Sequence, residues 1–67
     1  MQISARNQLK GQVKSVETGT IMAEVAVDVG GQEVVAAITR DSVEKLALAE
    51  GDAVTVLIKA TEAMIAK

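Results

Sequence analysis

Apolar and polar residues alternate along much of the chain before residue 39, and this pattern is typical of strands with one buried face. Residues 9–18 form the first predicted strand, in which Val16 breaks the alternation. We expect a bulge or strong bend near Ser15, because one extra residue would restore the phase. The strictest alternation extends from Ile21 to Val29 and predicts the second strand.

A glycine pair follows the second strand. Gly30 and Gly31 can both adopt the positive φ angles that a two-residue hairpin turn requires. Residues 32–38 should therefore return antiparallel to the second strand as a third strand.

The period then changes from that of a strand to that of a helix. Val43 and Leu46 are three residues apart, which predicts a short helix. Thr39 and Asp41 are both candidate N-caps, and Asp41 and Glu44 have the spacing of a capping box.

Two further strands are predicted after the helix, which we expect to end at residues 49–52. Alternation resumes over residues 54–58, and residues 63–65 predict a brief fifth strand. Three strands, a helix and two strands is the order of a five-stranded OB-type barrel. We therefore predict an all-β fold with one short helix, in a single domain over residues 1–67.

The composition suggests self-association. The chain has 67 residues, of which 49% are hydrophobic, and it contains no aromatic residue and no cysteine. A domain this small buries a limited core, and neither a disulfide nor a bulky side chain adds to its stability. We expect an oligomer, in which copies of the chain cover part of one another's apolar surface.

Charge and hydropathy exclude several classes of protein. The formal net charge is −2 and the seven basic residues are dispersed, so no basic face or aromatic platform favours nucleic acid. No apolar run approaches the ~20 residues of a membrane span, which argues against a membrane protein. No signal peptide is recognisable, which predicts a cytoplasmic protein.

The chain is poorly equipped for catalysis and for metal coordination. It contains no histidine and no cysteine, and its nine acidic residues fall in turns, on solvent faces or in the first helical turn. Solubility and capping explain these carboxylates. We therefore expect no enzymatic activity, no catalytic residue, no cofactor and no directly coordinated metal.

Two places could contact an anion. The hydroxyls of Thr39 and Ser42 lie at the predicted helix start, where backbone N–H groups lack partners, although N-capping alone explains both residues. Lys59 lies at the end of the fourth predicted strand, where an ordinary surface lysine is the simpler explanation. In an oligomer, the same outer position can become an interface.

Several segments, in order and spacing over essentially the whole chain, resemble the molbindin or Mop family, whose barrel is TOBE-like. They are Ser4-Ala5-Arg6-Asn7-Gln8-Leu9-Lys10-Gly11, Ala37-Ile38-Thr39, Ser42-Val43, Leu46, Glu50-Gly51-Asp52 and Ile58-Lys59-Ala60-Thr61-Glu62. The resemblance implies a cytoplasmic homohexamer, a trimer of dimers, that binds molybdate or tungstate between subunits for storage or homeostasis. The implied site joins Ser4, Ala5 and Arg6 of one subunit to Thr39, Ser42, Lys59 and Ala60 of another.

Such a site suits a tetrahedral dianion. Molybdate only accepts hydrogen bonds, so hydroxyls, backbone N–H groups and an ammonium can bind it without a metal ligand. Phosphate often keeps a proton near neutral pH and should be rejected by a site made of donors, whereas sulfate should compete more closely.

The resemblance also implies a second class of anion site and leaves other functions open. The second site maps to Gly19, Thr20 and Ile21, next to Met22, where many relatives are expected to have a polar residue. One alternative function is a regulatory or assembly module that signals molybdate binding to a transport or transcription partner. Others are a structural oligomerisation barrel and an OB-type nucleic-acid binder.

Overall fold

The computed structural model describes residues 3–67 and contains four strands and one helix in that range. The elements in chain order are β1 (Asn7–Thr18), β2 (Met22–Val29), β3 (Gln32–Thr39), α1 (Arg40–Leu46) and β4 (Ala53–Ile58). No helix within residues 3–67 combines the length and the hydrophobicity needed to cross a bilayer.

All four strands belong to one antiparallel sheet with the order β3-β2-β1-β4. The long strand β1 connects its two halves, because residues 7–12 pair with β4 and residues 12–18 pair with β2. The sheet therefore curls into a half-barrel, with α1 between β3 and β4 in the chain. A mostly-β fold with one short helix was predicted and is confirmed.

Two local predictions in the sheet are confirmed. The register between β1 and β2 shifts between Val13 and Ser15, which is the bulge expected from the broken alternation. Gly30 and Gly31 have φ angles of 59° and 87°, as a type I′ hairpin turn requires. The Gly31 N–H also donates to Asp28 Oδ1 at 3.0 Å, which fixes the turn.

The helix begins as one of the two candidate caps predicts. Thr39 is the N-cap, and its Oγ1 accepts a hydrogen bond from the Ser42 N–H at 3.1 Å. The capping-box interpretation of Asp41 is wrong, because Asp41 lies inside the first turn and pairs with Lys45 at 3.0 Å. The helix also ends earlier than predicted, at Leu46, since Ala47 adopts the left-handed conformation with φ 51°.

The predicted fifth strand at residues 63–65 is wrong for this chain on its own. Residues 63–67 have no regular secondary structure, and the side chains of Met64 and Ile65 are 93% and 94% exposed. A strand needs a neighbouring edge for its backbone hydrogen bonds, and no ladder within residues 3–67 includes this segment. The five-stranded closed barrel is accordingly corrected to a four-stranded half-barrel.

The core consists of small side chains on the inner face of the sheet and one helix residue, Val43. Val13 is the largest fully buried side chain, with 2% exposure, which reflects the absence of aromatic residues. The other buried members are Ala23, Val25 and Val27, all on β2. A core this thin leaves the fold sensitive to small changes in volume.

Replacing Gly11 with alanine should destabilise the fold, since β2 leaves no room for a side chain at this position of β1. An added Cβ would lie 2.5 Å from the Asp28 carbonyl oxygen and 2.7 Å from Val27 Cγ1. Overpacking of this kind costs about 1–3 kcal/mol in the free energy of unfolding. Urea denaturation measures the loss, with the exposed neighbour Lys10→Ala as a control that should change stability by less than about 0.5 kcal/mol. Equal stability of the two variants would contradict the close approach.

Candidate functional site

The ladder between β1 and β4 brings five of the predicted site residues to one end of the sheet. Asn7, the first residue of β1, pairs with Ile58, the last residue of β4. The chain segments that flank this pair are therefore adjacent. We call these residues the strand-end group: Ser4, Ala5, Arg6, Lys59 and Ala60.

Side-chain hydrogen bonds hold the strand-end group in place. Ala5 is buried, and its carbonyl oxygen accepts a bond from Gln8 Nε2 at 3.0 Å. Asn7 Nδ2 donates to the Ile58 carbonyl oxygen at 3.1 Å, which ties the start of β1 to the end of β4. The sequence analysis did not assign a role to Asn7 or Gln8. For Asn7, the sequence did offer a signal, namely a polar side chain at a half-buried position on the inner face of the strand.

The two cations of the strand-end group face solvent. Ser4 and Arg6 are exposed on either side of the buried Ala5, and Lys59 is exposed beyond β4. Neither Arg6 nor Lys59 takes part in an ion pair with any carboxylate of residues 3–67. Both positive charges are therefore available to a bound anion.

Thr39 and Ser42, which we call the helix-start group, form a compact pair of hydroxyls. Thr39 Oγ1 donates to Ser42 Oγ at 2.8 Å and accepts from the Ser42 N–H at 3.1 Å. Because Ser42 Oγ accepts the Thr39 hydrogen, its own hydrogen remains available to a ligand. Two ion pairs along the helix, Arg40 with Glu44 and Asp41 with Lys45, balance the charges beside this pair.

The residues of the predicted second site lie next to the helix-start group. The Arg40 N–H donates to the Ile21 carbonyl oxygen at 2.8 Å, which docks the start of α1 on the turn between β1 and β2. Within that turn, the Gly19 N–H donates to the Met22 carbonyl oxygen at 2.7 Å. One backbone donor of the turn is thus already used. A second anion site at Gly19, Thr20 and Ile21 stays a prediction.

One chain does not bring the strand-end group and the helix-start group together. The strand-end group lies at the start of β1, whereas Thr39 pairs with Met22 and therefore lies near the end of β1 at Thr18. The two groups are separated by the whole of this strand, which has 12 residues. A single site that uses both groups needs at least two chains.

Residues 3–67 do not bring together a cluster of metal-ligating side chains. No set of three or more histidine, cysteine, aspartate or glutamate side chains in this range could hold a metal ion. The hydroxyls and cations described above donate hydrogen bonds instead. Their chemistry favours an anion as ligand.

Removing the hydroxyl of Thr39 should destabilise the helix start. Thr39→Val keeps a β-branched side chain but loses both bonds to Ser42, and an N-cap is worth about 1 kcal/mol. Thr39→Ser keeps the cap and should retain most of the stability. Chemical denaturation of both variants measures the difference. Equal unfolding midpoints would show that the cap contributes nothing.

Comparisons with known proteins agree with this architecture. Residues 3–65 match the family described as TOBE domain. The chain is 48% identical over 66 residues to molybdenum-pterin-binding protein 3 of Clostridium pasteurianum, and the match covers 97% of each protein.

Solved structures extend the similarity to the fold. A molybdate-binding protein from Sporomusa ovata superimposes with a TM-score of 0.96 and 52% sequence identity, over 100% of both chains. The cytoplasmic molybdate-binding protein ModG, in a crystal form with molybdate bound, gives a TM-score of 0.88 and 40% identity, over 92% of this chain and 45% of ModG. The chain belongs to the TOBE domain family, and within it to the Mop or molbindin proteins.

Proposed function

We propose that this protein binds molybdate reversibly, in a site formed between subunits. The observation that carries the proposal is the match, at 52% identity over 100% of both chains, to a molybdate-binding protein. The separation of the two groups of site residues along β1 supports an interface. One chain contains both groups but holds them at opposite ends of this strand.

The strand-end group supplies the charge for a dianion. Arg6 and Lys59 are exposed, and in the described range neither is paired with a carboxylate. Hydrogen bonds from such cations to an anion are about twice as strong as neutral ones. Ser4, Ala5 and Ala60 would approach the anion with a hydroxyl and with backbone groups, next to the hydrogen bonds that Asn7 donates to Ile58 and Gln8 donates to Ala5.

The helix-start group of a second subunit completes the proposed site. The free hydroxyl hydrogen of Ser42 and the neighbouring Thr39 add donors without adding charge. Tungstate has the same charge and tetrahedral shape as molybdate and should bind the same donors. Phosphate, when protonated, would place an O–H against the cations and backbone N–H groups of the site, which cannot accept it.

The chemistry of the chain favours the oxyanion over a pterin. The Clostridium relative is named as a molybdenum-pterin-binding protein, so a pterin is the second candidate ligand. A flat pterin ring would gain from stacking on an aromatic side chain, and this chain has none. The groups at the proposed site are hydroxyls and cations, which match an anion better than a ring.

In the cell, we propose storage and homeostasis of molybdate in the cytoplasm. The proposed assembly is a homohexamer, a trimer of dimers, in which each chain contributes one domain over residues 1–67. Binding is the whole activity, because the donors identified here hold an anion without changing it.

Isothermal titration with molybdate, tungstate, sulfate and phosphate tests the proposal. We expect saturable heat with molybdate and tungstate, weaker binding of sulfate and no binding of phosphate. A titration with a free pterin should give no heat. Equal affinity for sulfate and molybdate, or binding of the pterin alone, would overturn the proposal.

A further inference from the structure

Gln8 makes a side-chain hydrogen bond that the sheet itself does not require. Its Nε2 donates at 3.0 Å to the carbonyl oxygen of Ala5, three residues earlier in the chain. The backbone of Gln8 belongs to the ladder between β1 and β4, in which this residue pairs with Leu57. The side chain of Gln8 therefore reaches back from the sheet to the segment that precedes β1.

This hydrogen bond fixes the orientation of one peptide group in the strand-end group. The Ala5 carbonyl and the Arg6 nitrogen belong to the same planar trans peptide, in which the C=O and N–H bonds point in opposite directions. Because Gln8 holds the Ala5 oxygen, the Arg6 N–H is directed away from the Gln8 side chain. Ala5 is also buried, with 7% exposure, so its packing limits rotation of the same peptide.

The Arg6 N–H is available as a donor. Within residues 3–67 it donates to no backbone oxygen and to no side chain. Arg6 and the neighbouring Ser4 are both exposed, so an anion can reach this peptide from solvent. The peptide thus presents an oriented neutral donor beside the positive charge of the Arg6 guanidinium.

We propose that Gln8 is a positioning residue of the oxyanion site, which acts by holding the Arg6 N–H as a preoriented donor. The inference rests on the proposed function and adds to it the residue that sets the geometry of this peptide. A donor that is already oriented loses little conformational freedom when the anion binds, so more of its hydrogen bond contributes to affinity. Without Gln8, the peptide between Ala5 and Arg6 would have to be ordered during binding.

Gln12 offers a matched comparison, because it makes the same kind of bond elsewhere on β1. It is a second exposed glutamine of this strand, and its Nε2 donates to the Gly51 carbonyl oxygen at 3.1 Å. The two bonds agree in donor, in acceptor type and in length. They differ in place, since the ladder between β1 and β4 has the strand-end group at one end and the pair of Gln12 with Ala53 at the other.

Gln8→Met and Gln12→Met test the assignment. Methionine keeps the unbranched shape of glutamine but has no N–H to donate. Urea denaturation should show similar stability for the two variants. Only Gln8→Met should bind molybdate more weakly in calorimetry, by about three- to tenfold. Equal affinity of the two variants would overturn the inference and leave the proposed function intact, whereas a natural protein that binds no oxyanion would overturn both.

The amide resonance of Arg6 gives a readout that a purely structural role of Gln8 would not change. In the isotope-labelled natural protein, saturating molybdate should move the Arg6 amide proton downfield, because this N–H then donates to an anion. The shift should persist in Gln12→Met and decrease in Gln8→Met, each measured at saturation. An Arg6 amide that molybdate does not move in the natural protein, or that moves equally in both variants, would overturn the inference.

Discussion

Replacing Lys59 with alanine should weaken molybdate binding by about ten- to a hundredfold. A hydrogen bond to a charged group contributes about 1.5–3 kcal/mol, and each 1.4 kcal/mol corresponds to roughly a tenfold change in affinity. Lys59 is exposed and has no ion pair within residues 3–67, so its loss should leave stability within about 0.5 kcal/mol of the original. Titration calorimetry gives the affinity, and thermal unfolding gives the stability.

Lys10→Ala is the matched control for this experiment. Lys10 is also an exposed lysine of the sheet, but it lies inside β1 rather than at the strand-end group. Both variants remove one positive charge, so a general electrostatic effect would weaken binding equally. The proposed site predicts that only Lys59→Ala loses affinity. Unchanged affinity in Lys59→Ala would remove this lysine from the site.

The second large effect is expected from Ala60→Leu, which should reduce molybdate affinity by about a hundredfold or more, equivalent to roughly 2.8 kcal/mol. Ala60 is exposed in the single chain, so a larger side chain there should not disturb the packing of the fold. In the proposed interface it would fill the space of the anion. Calorimetry measures the affinity, and light scattering shows whether the assembly survives.

Ala49→Leu provides the steric control, because Ala49 is an exposed alanine in the loop before β4 and belongs to neither group of site residues. It should bind molybdate as the natural protein does. Full affinity in Ala60→Leu, with the assembly intact, would place the anion elsewhere.

The local features of the fold were predictable because they depend on neighbouring residues. The bulge follows from the broken alternation at Val16, and the hairpin follows from Gly30 and Gly31. The helix cap depends on Thr39 and on Ser42 three residues later. Each of these is a short-range effect of backbone geometry or of one side-chain hydrogen bond.

The features that depend on distant partners were not predictable. Residues 63–65 have the composition of a strand, but a strand also requires hydrogen bonds to a neighbouring edge, and no ladder within residues 3–67 includes this segment. The early end of the helix depends on the left-handed conformation of Ala47, which alanine adopts rarely and which no local pattern indicates.

The candidate site shows the same difference between features that depend on neighbouring residues and features that depend on distant ones. Sequence resemblance named the residues, but only the pairing of Asn7 with Ile58 shows that Arg6 and Lys59 share one end of the sheet. The supporting bonds from Asn7 and Gln8 were missed, because each depends on where a backbone carbonyl oxygen lies. The distance of the helix-start group along β1 likewise follows from the register and not from spacing in the sequence.

Native mass spectrometry in the presence of molybdate tests the central claim, a molybdate site formed between subunits, most directly. It reports the number of chains and the number of bound anions in the same particle. The account predicts molybdate only on assemblies, with the main species at six times the 7.0 kDa mass of one chain. A single chain that carries molybdate as readily as the assembly would contradict it.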